Sequence, residues 1–138
     1  FVNRLLKGEY EMKIYMAGAF FRPETKERID SYAAVFRRLG YDVYVPQEHT
    51  VPNAWDMPQE NWAREVFKMD IKAIQDCDIL FAVYDGLYSD SGTAWEIGYA
   101  YALGKNIQMS VNNGVKDMSI MPFSSARVIE NYVNIKLV

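Results

Sequence analysis

The chain has 138 residues, of which 50% are hydrophobic, and a formal net charge of −3 at pH 7. This length suits one domain with a substantial core. The small net charge and the absence of long apolar runs argue against a nucleic-acid partner or a membrane segment. Cys77 is the single cysteine, so no internal disulfide can form, and we expect a cytoplasmic protein.

The first eleven residues precede Met12 and lack the apolar stretch of a signal peptide. We expect residues 1–11 to be a leader or an expression-derived segment. The domain itself is then predicted to span residues 12–138.

The first part of this domain has a β-α-β pattern. Residues 13–17 predict a strand, and apolar residues at helical spacing follow Pro23, which can start a helix. Gly40 is a typical residue after the end of a helix, and residues 42–45 predict a second strand.

The rest of the chain continues to alternate helices and strands. This alternation predicts a single-domain α/β protein, a three-layer sandwich with a mainly parallel sheet of four or five strands. The predicted elements are a loop at 46–60, a helix at 61–75, a strand at 79–83, a helix at 91–103, a strand at 106–111, a turn at 112–114, a short helix or irregular segment at 118–126, and an edge strand or docking tail at 132–138.

The helix predicted at 91–103 is nearly apolar on all sides, which is typical of a buried helix. Glu96 is its only charged residue, and no cation lies three or four positions away on the same helix. Either a partner from elsewhere in the fold satisfies this carboxylate, or it is catalytic, at the sheet edge where open α/β folds place their sites.

Three further polar residues have two interpretations each. Asp70 has apolar neighbours along its predicted helix, so it faces the core and either caps a loop or serves a site. Asp90 precedes the Glu96 helix and, taken alone, is more typical of an N-cap than of a catalytic acid. Tyr15 on the first strand is either a core residue or a hydrogen-bond donor to Glu96.

Nucleotide-binding loops are absent from the sequence. Gly18 follows the first strand, but no G-x-G-x-x-G or G-K-[ST] pattern occurs. Phe20 and Phe21, with Trp55 or Trp62, could stack on a planar ring or lie in the core. Three carboxylates and a phenol, without a metal motif or catalytic histidine, indicate chemistry at a glycosidic bond and no cofactor.

Three stretches, residues 14–20, 70–79 and 90–99, resemble the nucleoside 2-deoxyribosyltransferases. The pattern D-x-G-[ST]-x-x-E-[IL]-G in the last stretch is the most specific. The resemblance extends over residues 12–121 and implies a flavodoxin-like (Rossmann-like) fold.

The resemblance implies a ping-pong transfer of the 2-deoxyribosyl group between nucleobases. Glu96 matches the family nucleophile, which attacks C1′ and forms a deoxyribosyl ester. Tyr15 matches the residue that orients this glutamate, and Asp70 and Asp90 match the acids that bind and protonate the base.

The implied partners are 2′-deoxynucleosides, free purine or pyrimidine bases, and other copies of the chain. The family builds its sites between subunits of a homo-oligomer, dimer-based with a hexamer as one arrangement, and a neighbour supplies an Asn-x-Met segment. Ser119 replaces that asparagine, and residues 47–62 give no code for base preference. The expected substrate-binding residues are Gly18, Phe20, Gln47, Gly92, Ser119 and Met121.

Two alternatives are open. The deoxynucleotide N-hydrolases resemble this family in fold and in the Gly-x-x-x-Glu helix, and Arg22 and Ser91 are consistent with their 5′-phosphate contacts. A non-catalytic nucleotide sensor is the other alternative, against which the joint presence of Glu96, Tyr15 and the two aspartates argues.

Overall fold

The structure, a computed structural model, describes residues 11–84, 90–111 and 119–129. A five-stranded sheet with flanking helices confirms the predicted α/β class. Within the described ranges, no helix has the length and apolar character needed to cross a membrane. The elements are β1 (Lys13–Gly18), α1 (Pro23–Arg38), β2 (Asp42–Tyr44), α2 (Gln59–Asp76), β3 (Ile79–Tyr84), α3 (Ser91–Ala102), β4 (Asn106–Val111), α4 (Ile120–Ser125) and β5 (Arg127–Ile129).

The strands are parallel and lie in the order β2-β1-β3-β4-β5, which is flavodoxin-like. α1 packs on one face, where Ile29 and Phe36 join the core. α2 and α3 contribute Ile74 and Ile97 to the core on the other face. The strand order reverses at β1, so a crevice is expected at the carboxyl end of this strand.

The ends of α1 follow its sequence signals. Pro23 occupies the first turn, where backbone N–H groups have no acceptor within the helix, so the missing N–H of proline costs no hydrogen bond. Gly40 adopts φ of +90°, a conformation that favours glycine, and allows the chain to turn into β2. The predictions of this helix and its end are confirmed.

The long loop after β2 is partly ordered by two short 3₁₀ helices, Pro46–Glu48 and Ala54–Asp56. Asn53 adopts φ of 59° between them, a left-handed conformation that asparagine tolerates better than most residues. α2 then begins at Gln59, directly after Pro58. The loop thus forms a wall beside the end of β1.

The prediction that the Glu96 helix is buried on all sides is wrong for the single chain. Its buried residues are Thr93, Ile97 and Ala100, which face the sheet. Trp95 and Tyr101 are 51% and 63% exposed. The reason is geometric, since a helix packed on one face of a sheet turns its opposite side outward.

The C-terminal region differs in detail from the sequence prediction. The ambiguous stretch at 118–126 contains the short helix α4, and the strand β5 that follows was not predicted. β5 has three residues and no flanking turn signal, so its local pattern is too short to recognise. The predicted turn at 112–114 and tail at 132–138, and residues 1–10 of the expected leader, lie outside the described residues.

Candidate active site

Tyr15, the third of the six residues of β1, meets Glu96 of α3. The Tyr15 side chain is fully buried and points to the face covered by α2 and α3. Its hydroxyl donates a hydrogen bond to Oε2 of Glu96, a contact that the sequence analysis had proposed. Burial, followed by the charges of Glu96 and Asp70, raises the pKa of Tyr15 well above its usual range. The phenol therefore stays protonated and acts as a donor.

Glu96 is a partly buried carboxyl group in the second turn of α3. Its pKa is raised to about 7, mainly because burial disfavours the charged form. The hydrogen bond from Tyr15 lowers this pKa, whereas the charges of Asp70 and Asp90 raise it. Near neutral pH the group thus exchanges between the acid and the carboxylate, and the carboxylate is a nucleophile.

Asp70 lies on α2 and receives a hydrogen bond at Oδ1 from the Tyr44 hydroxyl, at 3.3 Å. Burial raises the pKa of Asp70, while the Tyr44 hydrogen bond and the nearby His49 lower it. A raised carboxyl pKa suits a group that has to carry a proton for part of its cycle. Asp70 therefore has the environment of an acid rather than of a surface carboxylate.

These residues line one open cleft of about 720 Å³, within the range of roughly 300–1,000 Å³ typical of small-molecule sites. Two tryptophans, Trp55 and Trp62, belong to its wall, whereas Phe21 is 76% exposed and is not part of it. The predicted site residues in this cleft are Tyr15, Gly18, Phe20, Gln47, Asp70 and Glu96.

Gly18 permits a close approach at the end of β1. A Cβ at this position would lie 2.6 Å from Cδ1 of Ile29 and 3.2 Å from the carbonyl oxygen of Val83. A side chain there would displace the Ile29 side chain and crowd the backbone of β3 at Val83. Gly18 therefore shapes the floor of the cleft through packing, although no phosphate loop follows it.

Asp90 is the N-cap of α3, as its position before the helix had suggested. Its Oδ2 accepts hydrogen bonds from the Thr93 amide at 2.8 Å and from the Thr93 hydroxyl at 2.5 Å. Such a cap stabilises a helix by about 1 kcal/mol. Gly92 lies beside it, since a Cβ there would come within 3.4 Å of the same Asp90 oxygen.

A second cleft, of about 580 Å³ between α3 and α4, contains the remaining predicted residues except Gly92, which lines neither cleft. Asp90, Ser119 and Met121 line it, as does Ser91. Within one chain the structure thus places Asp90 and the Ser119–Met121 segment in a different cleft from Glu96. Arg22, the other residue behind the nucleotide-hydrolase alternative, forms an ion pair with Glu24 at 2.7 Å.

Tyr44 is a residue of the site that the sequence analysis missed, and so is His49. Tyr44 ends β2 and pairs in register with Tyr15 on β1, so both rings lie on the same face of the sheet. The available signal was the tyrosine in each of two adjacent predicted parallel strands. Using that signal would have required the register of the two strands.

Comparison with known proteins gives a consistent assignment. The family profile described as nucleoside 2-deoxyribosyltransferase matches residues 14–126. A 2-deoxyribosyltransferase from Bacillus psychrosaccharolyticus is 34% identical, with a TM-score of 0.79 and 88% of each chain covered. A search of curated protein sequences gave no match.

Two more distant structures show likeness of fold alone. A CMP N-glycosidase from Clostridium botulinum is 22% identical, with a TM-score of 0.57 and 85% of each chain covered. A 2-deoxyribosyltransferase from Leishmania mexicana is 24% identical, with a TM-score of 0.55 over 74% of this chain and 65% of that one. From the family match and the Bacillus structure, the chain belongs to the nucleoside 2-deoxyribosyltransferase family.

Proposed function

We propose that the protein transfers 2-deoxyribose from a 2′-deoxynucleoside to a free nucleobase through a covalent ester on Glu96. The observation that supports this proposal is the Tyr15–Glu96 hydrogen bond in a cleft that also contains Asp70. A held nucleophile and a nearby acid are the two groups that displacement at a glycosidic carbon requires.

In the first half-reaction, a Glu96 carboxylate oxygen attacks C1′ of the bound nucleoside and forms the ester bond. The C1′–N bond breaks, its electron pair leaves with the base, and Asp70 supplies the proton that neutralises this base. In the second half-reaction a new base attacks C1′ and releases the Glu96 carboxylate. Asp70 takes up the proton that the incoming base loses.

Tyr15 prepares Glu96 for this attack. The hydrogen bond engages Oε2 and leaves Oε1 available to the sugar. Because the phenol stays protonated, it donates to the carboxylate and cannot compete as a base. Tyr15 thus orients the nucleophile, as the family resemblance implies.

The cleft also fits the proposed substrates. Phe20, Trp55 and Trp62 supply aromatic faces on which a nucleobase can stack, and Gln47 supplies amide groups for its polar edge. We further propose that Ser119 and Met121 complete the site of a neighbouring subunit in a homo-oligomer. Met121 is 76% exposed in the single chain, as such a role requires.

Incubation of the protein with deoxyinosine and adenine tests the proposal. We expect deoxyadenosine and hypoxanthine to form in equal amounts, and Glu96→Gln to form neither. A parallel reaction with a deoxynucleoside 5′-monophosphate and no acceptor base addresses the hydrolase alternative. Free base from the nucleotide, without exchange in the first reaction, would reject the proposal, and so would binding without turnover.

A further inference from the structure

Tyr44 is held between two other rings of the candidate site. Its ring stacks on Tyr15 with centroids 5.5 Å apart and planes 13° apart. On its other side it stacks on His49, with centroids 4.0 Å apart and planes 8° apart. The pairing of Tyr15 with Tyr44 in adjacent parallel strands places the first two rings side by side. The Tyr44 hydroxyl therefore has little freedom of direction.

Each tyrosine of this stack donates to a different carboxyl group. Tyr15 donates to Oε2 of Glu96, and Tyr44 donates to Oδ1 of Asp70. Among the described residues, Oδ2 of Asp70 has no hydrogen-bond partner in the protein. Each carboxyl group thus receives a hydrogen bond from one ring of the stack, and one oxygen of Asp70 remains open to a substrate.

We propose that Tyr44 is a positioning residue that selects Oδ2 of Asp70 as the oxygen that carries the transferred proton. The proposal rests on the proposed function of Asp70 as the acid for the leaving base. A phenol donor at Oδ1 requires an acceptor there, so a neutral Asp70 carries its proton on Oδ2. The same hydrogen bond also holds the plane of the carboxyl group, which would otherwise rotate.

The surroundings of Tyr44 keep it a donor. Burial first, and then the charge and hydrogen bond of Asp70, raise the pKa of Tyr44 to about 12. Among the described residues, the titratable groups that interact with the pair are His49 on the loop, Tyr15 on β1 and Glu96 on α3. Removing the Tyr44 hydroxyl would therefore leave Asp70 without its described hydrogen-bond donor and without a preferred oxygen for the proton.

The test is Tyr44→Phe, which keeps the stacked ring and removes only the hydroxyl. We expect kcat for an ordinary deoxynucleoside donor to fall about tenfold, as for loss of one hydrogen bond, while KM changes little. A donor whose base leaves without protonation should change less than about twofold. The rates are compared at the maximum of each pH profile, so that a shifted pKa is not mistaken for a lost orientation.

Tyr41→Phe is the matched control, because Tyr41 packs edge-on against Phe36 on the other face of the sheet, with centroids 6.3 Å apart. We expect this variant to keep wild-type rates with both deoxynucleoside donors, the ordinary one and the one whose base leaves without protonation. Equal slowing of both donors by Tyr44→Phe would overturn the proposal, since it would indicate a structural role. Thermal unfolding of both variants verifies that they are folded during the assay.

A double-mutant cycle separates this inference from the proposed function. In an Asp70→Asn background, Tyr44→Phe should cause no further loss of kcat, because the residue acts through Asp70. A further tenfold loss there would overturn the positioning role. If Asp70→Asn alone leaves kcat unchanged for both deoxynucleoside donors, Asp70 is not the acid and the proposed function of this residue fails. If Asp70→Asn slows the ordinary donor and Tyr44→Phe does not, only the role of Tyr44 fails.

Discussion

The hydroxyl of Tyr15 donates a hydrogen bond to the carboxyl group of Glu96, 81 positions away in the sequence. The strand β1 supplies the donor and the helix α3 supplies the acceptor. Their contact places a carboxyl group with a pKa of about 7 at the base of an open cleft.

Glu96→Ala and Glu96→Gln should abolish base exchange, with rate losses of several orders of magnitude. Neither side chain can form the deoxyribosyl ester. Glu60→Gln, an exposed residue in the first turn of α2, is the control and should retain full activity. The measurement is the rate at which deoxyadenosine forms from deoxyinosine and adenine, monitored by chromatography. Turnover near the wild-type rate in either Glu96 variant would remove Glu96 from the mechanism.

Glu96 should also destabilise the protein at alkaline pH. Its folded-state pKa of about 7 lies above the ordinary value of 4.5, so the unfolded chain binds fewer protons between these values. The contribution of neutral Glu96 to the free energy of unfolding is therefore fully present below pH 4.5 and is lost as the pH rises through 7. We expect Glu96→Gln to exceed wild type in free energy of unfolding by up to about 3 kcal/mol at pH 8.5.

Urea denaturation at pH 5 and pH 8.5 provides that measurement. Because both proteins carry a mostly neutral group at pH 5, the difference between them should shrink greatly there. A difference that is the same at both pH values would show that the titration of Glu96 does not cause it.

Asp70→Asn should slow the first half-reaction by roughly 10²–10⁴-fold for bases that need a proton to leave. With a sugar donor whose base leaves without protonation, the Asp70→Asn variant should recover most of the wild-type rate. Asp90→Asn tests the second predicted acid without loss of the cap, since asparagine is an equally good N-cap residue. Equal slowing of both kinds of donor in a variant would assign that residue to binding or to structure.

Ribonucleosides should react much more slowly than 2′-deoxynucleosides. A 2′-hydroxyl withdraws electrons from C1′ and disfavours the positive charge that develops there. It also adds a polar group next to the partly buried Glu96 carboxyl group. Competition of adenosine against deoxyadenosine as sugar donor measures this preference, and equal rates would contradict it.

Met121→Asp should weaken both assembly and transfer. Met121 and Ile120 are each 76% exposed in the single chain, and Met121 lines the second cleft together with Tyr101 of α3. If a neighbour covers this surface, an introduced carboxylate is buried without a partner. Leu39→Asp, at a residue 66% exposed near the end of α1, is the control.

Sedimentation together with activity, over a range of protein concentrations, tests this prediction. Wild type and Leu39→Asp should form the same oligomer. A wild-type monomer with full activity would argue against a shared site, and so would a Met121→Asp protein that assembles and turns over normally.

Local sequence patterns determined the larger elements of this fold. The prediction that β4 spans residues 106–111 agrees with the structure, and Gly40 marks the turn after α1 as expected. The approach of Tyr15 to Glu96 was also predictable, since the carboxyl ends of parallel strands and the helices that follow them meet at one edge of the sheet. Apolar periodicity and turn residues carry such information over short distances.

Contacts that depend on register and on packing angles were decided only by the tertiary structure. The pairing of Tyr15 with Tyr44 brings a second phenol to Asp70, and no local pattern of either strand specifies that register. Helix packing likewise places Asp90 and Met121 in a cleft separate from that of Glu96, and it exposes Trp95 on a helix that is apolar on all sides. Local periodicity predicts which residues form a helix or a strand, but the neighbours on each face depend on how the elements pack against one another.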